Sequence, residues 1–182
     1  MTSAHTPTFT ETVIRRQFPH WTAALARKLP AVRASTVVIV GCGTSFYLAQ
    51  VIACAFNGHG QAALGAEWAR RPECYLANTD GILVTGLSRS GTRSETLQAI
   101  ETSRARGWRT LAVSCGPDST ILRAADQALY LPTDPQEGIV MSVSASLMLL
   151  AGCGWRGFCC TRRSLRQPER LWVRLRQGLW AC

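Results

Sequence analysis

Apolar residues along this chain follow two alternating rhythms. Short β-branched runs recur, each bounded by glycine or polar residues. Between them lie segments whose apolar positions return every three or four residues. Thr36-Val37-Val38-Ile39-Val40 is the clearest run. It has no polar alternation, which suits a central parallel strand buried on both faces. Ile82-Leu83-Val84-Thr85-Gly86 and Thr110-Leu111-Ala112-Val113 read the same way, and Gln61–Leu64 and Ala128–Leu131 read as shorter strands. The intervening segments predict helices over Phe46–Phe56, closed by Asn57-Gly58, and over Thr96–Arg106, ended by Gly107. A short helix is expected from a Ser119 cap to Ala125, and an apolar one from Glu137 to about Ala151. In the Thr96–Arg106 helix, Leu97, Ile100 and Ala105 are expected inside; Arg104 and Arg106, and Arg109 beyond the helix, are expected in solvent. Ahead of the first strand, Val13, Phe18, Trp21, Leu25 and Leu29 recur at helical spacing. Thr10 reads as the cap of that helix and Pro30 as its stop, and Pro19 must kink or split it.

Strands alternating with helices of these lengths predict an α/β fold, a three-layer α/β/α sandwich around a roughly five-stranded parallel sheet. Ligands in such sheets sit beyond the strand C-termini, where strand order reverses. Two loops of small residues, 41–45 and 86–92, follow strands one and three and would meet there.

Composition narrows the class. The 182 residues are 47% hydrophobic and 17% charged, enough for a substantial core and unlike a disordered chain. A net charge of +9 invites a nucleic-acid reading. That excess is uneven, because residues 151–182 hold seven arginines and one glutamate while the body is only mildly basic. Nucleic acid is therefore not the expected partner. Met1–Phe9 is polar and lacks an apolar leader core, so the expected compartment is cytoplasmic. Cys42, Cys54, Cys74 and Cys115 then read as reduced, mostly buried thiols, and no pair among them has zinc-site spacing. Gly138–Trp155 carries little charge, but its three serines and three glycines favour a buried helix over a membrane span.

The chemistry concentrates in Ser88-Arg89-Ser90-Gly91-Thr92, between a strand and a helix N-terminus. Such a loop can hold a phosphate through free N–H groups, hydroxyls and the helix dipole. A polar loop that merely caps its helix is the other reading. Gly41-x-Gly43 is no dinucleotide fingerprint, since position 46 is Phe where a third glycine would stand, and no acidic residue ends strand two unless Glu67 serves.

Together, Gly41-Cys42-Gly43-Thr44-Ser45, Leu87-Ser88-Arg89-Ser90-Gly91 and Glu137-Gly138-Ile139-Val140-Met141-Ser142 resemble the three ordered motifs of the SIS (sugar isomerase) domain family. The resemblance covers about residues 35–150. Arg89 and the Thr10–Trp21 segment look more like the tagatose-6-phosphate ketose/aldose isomerase branch, and the isomerase half of glucosamine-6-phosphate synthase is the other near relative. The resemblance divides the chain into an N-terminal helical segment (1–34), a phosphosugar-binding SIS domain (35–150) and an Arg/Cys/Trp-rich tail (151–182). It implies that Ser88, Ser90 and the Gly91 and Thr92 amides hold a sugar phosphate, with Arg89 in the same loop. Gly43, Thr44 and Ser45 would contact phosphate or sugar hydroxyls, and Ser142 would close the site. Arg93 stands where the family often has Thr or Ser, and it either pairs with phosphate or points to solvent.

Moving a carbonyl between C1 and C2 of a sugar phosphate requires a base for a carbon-bound proton and a group that shuttles hydroxyl protons. Glu67 is the best-placed carboxylate, with helix capping or a salt bridge as its other reading. His5, His20 and His59 lie off the expected loops. No metal or organic cofactor is expected, because enediol chemistry runs on acid–base groups.

The named relatives carry two SIS domains, so the resemblance implies a chain truncated after the first. Its tail reads either as an aberrant end or as a basic tail for anionic partners. A metal site on Cys159-Cys160 lacks zinc-finger spacing. A homodimer is expected to complete the site. The alternative is a non-catalytic sugar-phosphate sensor, although roughly 35 residues before the first strand are too few for the DNA-binding domain that sensors in this family bear.

Overall fold

The computed structural model describes residues 8–27 and 34–159. In chain order the elements are α1 (Phe9–Arg15), α2 (Gln17–Leu25), β1 (Thr36–Gly41), α3 (Thr44–Cys54), β2 (Gly60–Leu64) and α4 (Gly65–Arg70). A 3-10 turn (Pro72–Tyr75) precedes β3 (Ile82–Ser88), α5 (Ser94–Ala105), β4 (Arg109–Ser114), α6 (Thr120–Ala124), β5 (Gln127–Tyr130) and α7 (Val143–Cys159). The strands form one parallel sheet in the order β2-β1-β3-β4-β5, so the predicted five-stranded α/β sandwich is present.

Successive strand side chains point to opposite faces, and two cores follow from that alternation. Val37, Ile39, Leu83, Leu87, Leu111, Val113 and Leu129 pack on one face with α3 and α7. Val38, Val40, Ile82, Val84 and Ala112 pack on the other with Trp68, Ile100 and Ile121 of α4, α5 and α6. All seven residues of β3 are buried, because helices cover both sides of it. Gly86 makes room on the second face: a Cβ there would lie 2.9 Å from Ile121 Cδ1 and 3.0 Å from Ile100 Cγ1.

Several expectations need correcting. The N-terminal helix splits at Arg16, and Pro19 falls in the first turn of α2, where its missing N–H costs no helical bond. Phe18 is 55% exposed and stacks edge-on against Trp21, with the ring centroids 5.1 Å apart. Val13 and Ala24 take the buried places, and Trp21 Nε1 donates to Ser146 Oγ (2.7 Å), fastening α2 to α7. Ala105 is exposed, whereas Ile100 is buried as expected. Helix α4 had no periodic signal. It is set by Trp68, which is fully buried and donates to Ser103 Oγ (2.8 Å) on α5. Of the four body cysteines only Cys115 is buried, while Cys54 and Cys74 are exposed and Cys42 is intermediate; all four are free thiols. Helix α7 begins at Val143 rather than Glu137 and runs on to Cys159. Leu29, Pro30 and the tail beyond Cys159 lie outside the described residues. No helix among the described residues is long and apolar enough to cross a membrane.

Candidate functional site

Strand order reverses between β1 and β3. From β1 the chain moves outward through α3 to β2, then crosses back to β3 and continues the other way. A crevice therefore opens past the C-terminal ends of these two strands. Helices α3 and α5 start there, so two positive dipole ends face it. The loops 41–45 and 88–93 form its walls.

The first wall is a tight strand-to-helix turn. Gly43 is the cap residue of α3, with φ +56°, and the space where a Cβ would stand is open. Thr44 is exposed at the first position of the helix, whereas Ser45 is buried. Thr96 of α5 donates to Cys42 Sγ (3.6 Å), which ties this turn to the second wall.

The serine loop is built from within. Ser88 ends β3, is 2% exposed, and its Oγ accepts from the Gly91 amide (3.1 Å). Its hydroxyl thus shapes the loop from below. The Arg89 carbonyl accepts from Cys115 N (3.0 Å) and Ser114 Oγ (3.3 Å), and the Gly91 carbonyl accepts from Ile121 N (3.1 Å). Gly91 adopts φ +69°, and a Cβ on it would lie 2.0 Å from Ser119 Oγ, so only glycine fits. Ser119, read above as a side-chain cap, donates instead to Ser114 Oγ (3.3 Å) and forms the floor. Ser90, Thr92 and Arg93 are exposed at the rim. The Ser90 and Thr92 hydroxyls lie 3.0 Å apart, and Thr92 N donates to Ser90 Oγ (3.4 Å).

A third wall comes from the segment before α7. Glu137 Oε1 accepts from Ser142 N (2.6 Å), Ser144 N (3.0 Å) and Ser142 Oγ (3.3 Å), and Oε2 accepts from Thr133 Oγ1 (2.9 Å). Partial burial pushes this carboxyl up, but the bonds from Ser142, Ser144 and Thr133 outweigh it and hold the group below the usual carboxylate range. The Arg89 guanidinium reaches the same segment and donates to the Gly138 carbonyl (2.6 Å). Burial, reinforced by the Glu137 charge, pushes the Cys115 thiol up to about 12, so it stays neutral. In the sequence Glu137 stands at the head of the third motif with no role assigned to it. The signal was a carboxylate five residues ahead of a serine that opens a helix.

Glu67 is exposed on α4 and accepts a hydrogen bond from the Tyr75 hydroxyl. Burial, and then that bond, push the tyrosine up to about 12. The start of α4 abuts the crevice, since a Cβ on Gly65 would lie 3.0 Å from Cys42 Sγ and 3.1 Å from the Glu95 carbonyl. Two histidines are engaged elsewhere: His20 Nδ1 lies 3.3 Å from the Pro132 carbonyl, and His59 Nδ1 lies 3.0 Å from that of Ser35. His5 lies outside the described residues.

Residues 32–151 match the SIS domain family model. The chain belongs to the SIS domain family. It is 30% identical over 129 residues to a glutamine–fructose-6-phosphate aminotransferase (isomerizing) of Corynebacterium glutamicum, a match covering 62% of this chain and 19% of that protein. This SIS chain thus spans about a fifth of the length of the curated relatives it matches. Among solved structures, the C-terminal domain of the Francisella tularensis glucosamine-fructose-6-phosphate aminotransferase superposes with a TM-score of 0.75 at 15% identity, over 97% of this chain and 54% of that one. Tagatose-6-phosphate ketose/aldose isomerase from Escherichia coli superposes at 0.63 and 21% identity, over 85% and 48%. The Vibrio vulnificus NanR protein, solved in complex with ManNAc-6P, superposes at 0.61 and 16% identity, over 94% of this chain and 66% of that one. These likenesses establish the fold.

Proposed function

We propose that this SIS domain binds the phosphate of a hexose or hexosamine 6-phosphate in the crevice between β1 and β3. The observation that carries the reading is the shape of the serine loop. Its buried atoms are spent on holding Gly91 at a positive φ, which leaves the Ser90 and Thr92 hydroxyls at the rim beside the α5 N-terminus. Thr44 and the Gly43 turn would face the same anion from the α3 side, and Ser142 would close the site. Arg93, exposed at the cap of α5, adds positive charge nearby. The ManNAc-6P complex of a neighbour with this fold supports a sugar-phosphate ligand.

The chemistry we assign to the site is aldose–ketose isomerisation, or the equivalent step on an amino sugar phosphate. Glu67 would take the carbon-bound proton, with Tyr75 as its hydrogen-bond donor. A second copy of the chain would supply a proton shuttle, because the His20 and His59 ring nitrogens are turned to the Pro132 and Ser35 carbonyls. That same observation favours one alternative, a sugar-phosphate-binding module without turnover.

Thermal melts with a panel of hexose and hexosamine 6-phosphates test the reading, followed by an isomerase assay on each stabilising ligand. Stabilisation by the phosphorylated sugars but not by the free sugars is expected. Stabilisation without turnover selects the binding module. No shift with any sugar phosphate overturns both.

A further inference from the structure

Resting on the phosphate-binding reading, we propose that Arg89 and Glu137 are positioning residues that hold residues 138–142 as the wall facing the sugar rather than the phosphate.

Arg89 is fixed at its backbone by Cys115 and Ser114, yet its guanidinium turns across to the Gly138 carbonyl (2.6 Å), with the Ile139 carbonyl 3.5 Å away. The side chain that sequence would aim at the phosphate is thus spent on the neighbouring segment. At the other end of the segment, Glu137 gathers Ser142 N, Ser142 Oγ and Ser144 N on one oxygen and Thr133 on the other. Residues 138–142 are therefore an arc with both ends pinned, one to the serine loop and one to the start of α7. The arc carries Ile139 at 97% exposure and Val140 at 65%, so the core does not need these side chains. Phe9 lies beside it, 3.8 Å from where a Gly138 Cβ would be. An apolar rim next to a cradle of hydroxyls suits a ligand with an anionic end and a body of C–H faces. The bond through Arg89 fixes the distance between the two.

Isothermal titration of inorganic phosphate and of glucosamine 6-phosphate, on the wild type and on Arg89→Ala, Arg89→Lys, Glu137→Gln and the Arg89→Ala/Glu137→Gln pair, reads the two ends of the ligand separately. Inorganic phosphate affinity is expected to stay within about twofold in every variant. Sugar-phosphate affinity is expected to fall about tenfold in Arg89→Ala, the order expected when a charge-assisted hydrogen bond is lost, and to recover in part in Arg89→Lys. The double variant should be little worse than Arg89→Ala alone, because both residues act on one arc. Melting temperatures check that each variant folds, and the two Arg89 variants carry the test if Glu137→Gln does not. Equal losses for both ligands would make Arg89 a phosphate ligand and overturn the proposal. No loss for either would overturn it too. A wild type that binds both ligands equally well leaves the phosphate cradle standing and removes the wall. A wild type that binds neither removes both.

Discussion

Single residues decide the shape of the cradle. Ser88 and Ser90 look equivalent in the motif, but one is buried and bonded to Gly91 N while the other is exposed. Their substitutions should therefore separate. Ser88→Ala leaves a loop amide without its acceptor and should cost about 1–3 kcal/mol of stability, measured by urea unfolding. Ser90→Ala should leave the unfolding midpoint within error and weaken sugar-phosphate binding. Gly91→Ala meets both a strained φ and the Ser119 hydroxyl, so it should lower the melting temperature and abolish ligand-induced stabilisation together. The motif gives Ser88 and Ser90 the same task, because a motif carries no information about depth. Its place as the last residue of a fully buried strand was the clue, since side chains of that parity face the α5 side with Val84 and Gly86.

At the scale of elements, strands were more legible than helices. β-Branched runs located β1, β3 and β4 to within two residues, because burial on both faces demands apolarity at every position. Helix α4 was invisible, because six residues cannot display a helical period and its conformation depends on Trp68 reaching α5. The start of α7 was misplaced by six residues, because Glu137 acts on the helix through its side chain from outside it. That arrangement has a pH signature. The folded state holds the Glu137 carboxyl below its ordinary range, so the stabilisation is complete at neutral pH and is lost as pH falls through that lowered value. Thr133, Ser142 and Ser144 contact this group, and Cys115 lies within its field. Glu137→Gln should therefore lower the melting temperature at pH 7 and narrow the difference between pH 7 and pH 3. An unchanged difference would mean that the carboxylate contributes nothing to the cap. In the sheet itself, Leu83→Ala should cost about 2–5 kcal/mol, since β3 lies between two cores and cannot collapse around a cavity.

For the whole molecule, topology brings together loops that are distant in sequence. The reversal between β1 and β3 places residues 41–45 beside residues 88–93, and Arg89 draws residues 138–139 to the same end. The order of the motifs along the chain was legible. Their meeting was legible only as a rule about parallel sheets, and the Arg89 bridge was not legible at all. The proposed second copy belongs to this scale: sedimentation should show a dimer that strengthens with ligand, and a monomer at all concentrations would leave the shuttle without a source. The claim on which the rest depends is that the serine loop holds an anion. Amide chemical-shift mapping during titration with glucosamine 6-phosphate tests it most directly. Saturable shifts centred on Gly43, Thr44 and Ser90–Thr92 are expected, matched by inorganic phosphate at Ser90–Thr92. Saturable shifts elsewhere, with these amides unmoved, would contradict it.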